Sequence, residues 1–165
     1  MHQHIDWPQD KAALYTLLAR QLTALVEGCP PVSAMANAAS LLREALPEIN
    51  WAGFYLQKED ILYLGPFQGK TACVMIPMGR GVCGTAAAKR ELQLVPDVEL
   101  FPGHIACDSA SRSEIVVPLI AEGRLLGVMD IDAPIPARFD AEDALGLSAL
   151  ADILTSRVDW FNGLL

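Results

Sequence analysis

The chain lacks the marks of export. Met1-His2-Gln3-His4-Ile5-Asp6 has no basic stretch leading into an apolar one, so no secretory leader is expected. No apolar run is long enough to span a bilayer. Positive charge is in short supply: 12 lysines and arginines face 20 aspartates and glutamates, a net charge of -8. Such a surface repels phosphate backbones and anionic lipid, and no basic stretch with interleaved aromatics offsets it. Nucleic acid and membrane are therefore poor partners, and the cytoplasm is the expected compartment. Histidine is scarce as well, His104 being the single one beyond residue 4. Four cysteines occur, Cys29, Cys73, Cys83 and Cys107, and no two make a CxxC pair. Where thiols are kept reduced, such a set points to catalysis, metal binding or burial rather than a disulfide framework.

Hydrophobic residues make up 52% of the 165 and charged residues 19%, which fits one globular domain over residues 1–165. Pro8 marks the expected first turn of a helix carrying Leu14, Leu17, Leu18, Leu22 and Leu25 at helical spacing. Gly28-Cys29-Pro30-Pro31 stops it. Ser33 is the expected cap of a second helix carrying Met35, Ala38, Leu41, Leu42 and Leu46. Short strands are expected over 49–56, 61–67, 72–76 and 92–95, with a small-residue helix over 82–89. Residues 97–112 form a long polar loop, of the kind that often carries function. Strands over 115–120 and 125–131 make a hairpin around Glu122-Gly123, and Asp140 caps a closing helix reaching about Trp160. Hairpin-linked strands between terminal helices define an α+β domain with an antiparallel sheet, the first two helices packed on one face.

Cys107 stands in the polar segment His104-Ile105-Ala106-Cys107-Asp108-Ser109, where a thiol is accessible and therefore reactive. The alternative is an incidental surface thiol. Cys73 lies in the 72–76 strand and reads on local sequence as a buried small hydrophobe. Cys83 lies among small residues in Gly81-Val82-Cys83-Gly84-Thr85, where a helix N-terminus would favour its thiolate. Either could resolve an oxidised Cys107. Cys29, in a turn, is incidental. A zinc site built on His104-x-x-Cys107 with Cys73 and Cys83 has one short-spaced ligand pair where structural sites usually have two. A cysteine hydrolase would need a histidine from elsewhere in the fold, and His104 is three residues away in the same loop.

Asp130 and Asp132 interrupt the apolar strand Leu125-Leu126-Gly127-Val128-Met129-Asp130-Ile131-Asp132 at i and i+2, hence on one face. Like charges on one face raise at least one pKa, and a protonated carboxyl can act as a general acid. A solvated strand end is the plainer reading, better for Asp132 than for Asp130. A three-residue loop, Ala121-Glu122-Gly123 with Gly123 left-handed, is expected to pair Glu114 with Asp130 and gather three carboxylates. Trp51 and Tyr55, at i and i+4, share a strand face, and ordinary core aromatics are their plain reading. Gly79-Arg80-Gly81 before the short helix offers backbone N–H groups to an anion, though a plain connection is equally expected.

The segments Ile49-Asn50-Trp51-Ala52-Gly53-Phe54-Tyr55, Leu64-Gly65-Pro66-Phe67-Gln68-Gly69, Gly79-Arg80-Gly81-Val82-Cys83-Gly84-Thr85, Gly103-His104-Ile105-Ala106-Cys107-Asp108 and Gly127-Val128-Met129-Asp130-Ile131-Asp132 closely resemble the free methionine-(R)-sulfoxide reductases, which are GAF-domain enzymes. The resemblance spans about residues 33–157 in the family's order. It implies a GAF-like antiparallel six-stranded sheet with flanking N- and C-terminal helices. It implies reduction of free L-methionine (R)-sulfoxide with thioredoxin as electron donor, and no cofactor or metal. Cys107 matches the nucleophile, Cys73 the resolving cysteine and Cys83 a third, assisting one. Glu114, Asp130 and Asp132 match the substrate-binding acidic cluster, Trp51 and Tyr55 the aromatic pocket. GAF domains commonly dimerise through helices, so a homodimer is compatible with the resemblance. A regulatory GAF module that binds a ligand without chemistry is the alternative, and it would not need three cysteines.

Overall fold

The computed structural model describes residues 5–105 and 108–163. Helices α1 (Lys11–Val26) and α2 (Pro31–Ala45) lead into strands β1 (Trp51–Lys58), β2 (Ile61–Gln68) and β3 (Met75–Pro77). Helix α3 (Gly81–Lys89), strand β4 (Gln93–Val95), strands β5 (Ser113–Ala121) and β6 (Arg124–Ala133), and helix α4 (Ala141–Arg157) complete the chain. The strands form one antiparallel six-stranded sheet in the order β3-β2-β1-β6-β5-β4. The α+β expectation is met. Among the described residues, no helix is long and apolar enough to cross a membrane.

Period-2 alternation divides the sheet residues between two cores. Ile115, Val117, Met129 and Ile131 face α1, α2 and α4. Val116, Val128, Tyr55 and Trp51 face the opposite side, where α3 packs with Val82, Cys83 and Ala86. The carboxylates of β5 and β6 share this second face.

Several boundaries differ from the sequence reading. Helix α1 starts after Asp10, not at Pro8, because the Asp10 carboxylate accepts the Ala13 N–H at 2.9 Å. Ser33 does not cap α2: Pro30 is the cap residue and Pro31 occupies the first turn, where a missing N–H costs nothing. Cys73 is not in a strand, since β3 begins at Met75. Helix α4 ends at Arg157, and Trp160 returns to the core with its indole N–H donating to the Leu154 carbonyl at 3.0 Å.

The hairpin also closes differently. Ala121 pairs with Arg124, so the loop is the two residues Glu122 and Gly123, both at positive φ. That turn alone would put Glu114 opposite Ile131. A bulge intervenes: Ile120 pairs with Leu125 but Leu119 pairs with Gly127, leaving Leu126 as one extra residue. Glu114 thus pairs with Asp132, and Val116 with Asp130. The three carboxylates reach one face through the bulge rather than through a longer turn.

The helical layer is tied together by Asp143, which is fully buried. It accepts from the Tyr15 hydroxyl at 2.8 Å, from Lys11 at 2.6 Å, from Arg138 at 3.4 Å and from the Asp140 N–H at 3.0 Å. The Asp140 carboxylate caps the Glu142 and Asp143 N–H groups in return, a capping box that starts α4 as expected. Removing one partner of a buried charge network typically costs about 3–5 kcal/mol. Asp143→Ala should therefore lower the unfolding free energy by roughly 3 kcal/mol, read in urea as a fall in midpoint at constant slope. A loss below about 0.5 kcal/mol would mean that the network does not hold α1 to α4.

Candidate active site

Strands β1, β6 and β5 lie side by side at the site. Asp132 sits between Trp51 and Glu114 in register, and Asp130 between Gly53 and Val116. Gly53 is required there. A β-carbon at that position would lie 2.6 Å from the Trp51 ring and 2.4 Å from the Phe67 β-carbon. Its absence lets the Trp51 indole lean over the sheet, stacked on Phe67 at 5.3 Å and on Tyr55 at 6.0 Å. The indole N–H donates to the Lys70 carbonyl at 3.1 Å, and the Tyr55 hydroxyl to the Cys73 carbonyl at 3.1 Å. These aromatics are both core and pocket wall.

Opposite them, the first turn of α3 brings Gly81, Val82 and Cys83 to the same cavity, with Arg80 at its edge. Glu114, Asp130 and Asp132 line its base. His104, Ile105, Asp108 and Ser111, from the long loop, close it. The enclosed volume is about 30 Å³.

The electrostatics are one-sided. Glu114 and Asp130 are 6% and 5% exposed, and no ion pair reaches Asp130 or Asp132 among the described residues. Burial, then the charges of Asp130 and Asp132, push Glu114 well above the usual carboxylate range. Burial holds Asp130 up at about 7, while hydrogen bonds with Cys83 and Glu114 pull it down. Both members of this hydrogen-bonded pair are thus held above the usual carboxylate range. Asp132 is raised by burial and by Asp130. His104 does not compensate: its Nε2 is 3.9 Å from Glu114, and burial lowers its pKa.

Cys83 is buried, with Sγ 3.8 Å from Glu114 Oε1. The helix N-terminus was expected to favour its thiolate. Burial and the Asp130 and Glu114 charges prevail, and the thiol is pushed well up. A peptide-dipole terminus carries only about half a charge, too little against two carboxylates in a dry site. Cys73 is half-buried and disulfide-bonded, whereas Cys29 and Cys83 are free thiols. Cys107 lies outside the described residues. Within them, the side chains spaced to hold a metal ion are Cys83, Glu114 and Asp130, not the His104 and Cys73 set.

Sequence reasoning missed Asn50 and the turn beyond Cys107. The Asn50 amide donates to Asp108 and to the Ser111 hydroxyl, both at 3.0 Å. The Ala110 N–H, with Asn50 and Lys70, keeps Asp108 below the usual carboxylate range. The pair of residues Asp108-Ser109 is a turn signal in the sequence, but nothing local says that its anchor is the residue before β1.

Known proteins share this fold. Residues 9–158 match the GAF domain family. A free methionine-R-sulfoxide reductase of Escherichia coli is 52% identical over 142 residues, 86% of each chain. The crystal structure of free methionine-R-sulfoxide reductase from Neisseria meningitidis in complex with its substrate superposes with a TM-score of 0.90 at 49% identity, covering 95% of both chains. The reduced form from Staphylococcus aureus gives 0.85 at 49% identity, covering 88% of this chain and 95% of that one. The fold and pocket define a GAF-domain oxidoreductase. Within that class, the chain belongs to the free methionine-R-sulfoxide reductase family.

The raised carboxylates make stability depend on pH. A folded-state pKa above the unfolded value means that the native state holds protons the unfolded state has released. Stability therefore falls from about pH 4 through 7 for Asp130, and further up for Glu114 and Asp132. Wild type should be less stable at about pH 8 than at about pH 5, and Asp130→Asn should recover at least ~1 kcal/mol of the difference, the worth of one pKa unit. Equal losses in the two proteins would show that Asp130 is not buried as a strained carboxylate.

Proposed function

We propose that this protein reduces free L-methionine (R)-sulfoxide to L-methionine with Cys107 as nucleophile. The observation that carries this reading is the carboxylate face of β5 and β6 beside the Trp51–Tyr55 wall. Free methionine differs from a methionine residue in its ammonium group. Such a cation matches an acidic pocket whose Asp130 and Asp132 have no ion-pair partner among the described residues, and the aromatic wall suits both the S-methyl group and a cation–π contact.

Sulfoxide oxygen must be protonated before sulfur accepts a thiolate. Glu114, which keeps its proton because of burial and the neighbouring aspartates, is the suitable donor. Asp130 and Asp132 then hold the ammonium. The Cys107 thiolate attacks the protonated sulfoxide: a Cys107 sulfur–oxygen bond forms as the substrate's sulfur–oxygen bond breaks, the hydroxyl passes to Cys107 as a sulfenic acid, and the sulfoxide, reduced by the two electrons Cys107 loses, leaves as free methionine. A Cys73 thiolate displaces water from it, forming an intramolecular disulfide. Cys73 already takes part in a disulfide, which supports it over Cys83 as the resolving residue. Cys83, with its thiol pushed up among carboxylates, is assigned the secondary role. A dithiol such as thioredoxin reduces the disulfide by exchange. The cytoplasm supplies that reductant, the single GAF domain suffices for the chemistry, and a homodimer is compatible with it.

The test is thiol counting after reduced protein meets free methionine sulfoxide. Wild type should lose two thiols, Cys107→Ser none, and Cys83→Ser two. In a thioredoxin-coupled assay Cys107→Ser should lose turnover by on the order of 10³-fold or more, about 4 kcal/mol of transition-state stabilisation. Glu114→Gln should lower kcat more than it raises KM, with the reverse for Asp132→Asn. Unchanged thiols in wild type would instead indicate a ligand-binding GAF module.

A further inference from the structure

We propose that the acidic pocket is also a binding site for a thiophilic divalent cation of the zinc class, held by Cys83, Glu114 and Asp130. One ligand atom from each lies within 4.8 Å of the other two. The Cys83 Sγ to Glu114 Oε1 separation is 3.8 Å. A tetrahedral ion with metal–sulfur and metal–oxygen bonds of about 2.3 and 2.1 Å sets that separation at about 3.6 Å. The thiol and the carboxylate are thus spaced for coordination before any ion arrives.

Asp130 Oδ1 provides a second, independent observation. It is buried, has no hydrogen-bond partner, and belongs to a residue 5% exposed at the base of the cavity. A buried polar atom left alone costs free energy that a ligand can recover. The cavity volume of about 30 Å³, close to one water's share of the liquid, admits an ion without displacement of its walls. Among the described residues the pocket is lined by four carboxyl groups, those of Asp108, Glu114, Asp130 and Asp132, against the edge residue Arg80 and the partly buried His104 as basic side chains. A dication balances that charge.

The donor set also selects the metal. One sulfur and two carboxylate oxygens suit zinc or cobalt, whereas magnesium and calcium prefer oxygen alone. The fourth position is open to water or to His104, whose Nε2 lies 3.9 Å from the other Glu114 oxygen. Occupancy by the ion and by methionine sulfoxide would be mutually exclusive, a consequence that rests on the function proposed above.

Cobalt is the probe, because thiolate ligation gives it a charge-transfer absorption. The full-length, fully reduced protein, freed of reductant under anaerobic conditions, should develop this band and saturate at one equivalent. Zinc should displace the cobalt, and magnesium in large excess should not. Cys83→Ser should abolish the band, while Cys73→Ser and Cys29→Ser keep it. Asp130→Asn, which leaves the thiol in place, should weaken cobalt binding by about tenfold or more, at least the cost of losing an outer-shell partner. No band in wild type, a band that survives Cys83→Ser, or unchanged affinity in Asp130→Asn would overturn the proposal. The readout consumes no sulfoxide, so it is scored apart from catalysis. Competition by free methionine then tests the shared location: its failure, with the band behaving as stated, retains the metal site and removes the substrate placement.

Discussion

The backbone at Gly127 is pressed against strand β1. A β-carbon there would lie 2.0 Å from the Tyr55 carbonyl oxygen, a distance that no side chain survives. The bulge that this glycine permits inserts Leu126 between two paired residues and shifts the rest of β6 by one. Side chains alternate along a strand, so a shift of one residue exchanges the two faces. With it, Met129 and Ile131 enter the helical core while Asp130 and Asp132 join Glu114. The core and the pocket are consequences of the same local irregularity, and neither could be moved without the other.

Two groups of buried carboxylates illustrate how environment sets role. Asp143 is surrounded by a hydroxyl, a lysine, an arginine and backbone N–H donors. It spends its charge in fastening α1 to α4. Glu114 and Asp130 are nearly as buried, Asp132 is half-buried, and among the described residues neither aspartate has a lysine or arginine beside it. Their pKa values rise, one oxygen goes without a partner, and stability is given up as pH increases. Strain of this kind persists where a ligand relieves it. An ammonium group or a metal ion does so through the same vacancy of positive charge.

The same field acts on the thiols. Cys83, inside the cluster, is a poor nucleophile because burial and negative charge both oppose its thiolate. Cys73 precedes strand β3, with its carbonyl held by the Tyr55 hydroxyl.

Much of this was open to reading along the chain. Alternating apolar residues defined β1, β5 and β6, since burial on one face and exposure to the pocket on the other repeat every two residues. The Asp140 cap of α4, the turn at Glu122-Gly123 and the placement of Cys83, Asp130, Asp132, Trp51 and Tyr55 in recognisable segments were likewise local. Helix starts were misjudged at Pro8 and Ser33 because Asp10 and Pro31 compete for the same position, and only the observed hydrogen bonds and φ angles decide between caps. The register of β5 against β6 was beyond local sequence: a turn residue says how a hairpin closes, not whether a bulge follows three residues later. So was the Asn50 anchor of the 108–111 turn, which joins residues 58 apart. Sequence by itself determined which chemical groups this protein has and on which strands they ride. Tertiary structure decided which of them share a dry cavity, and hence which carboxyl keeps its proton and which thiol stays quiet, because pKa depends on burial and on neighbours brought from distant parts of the chain.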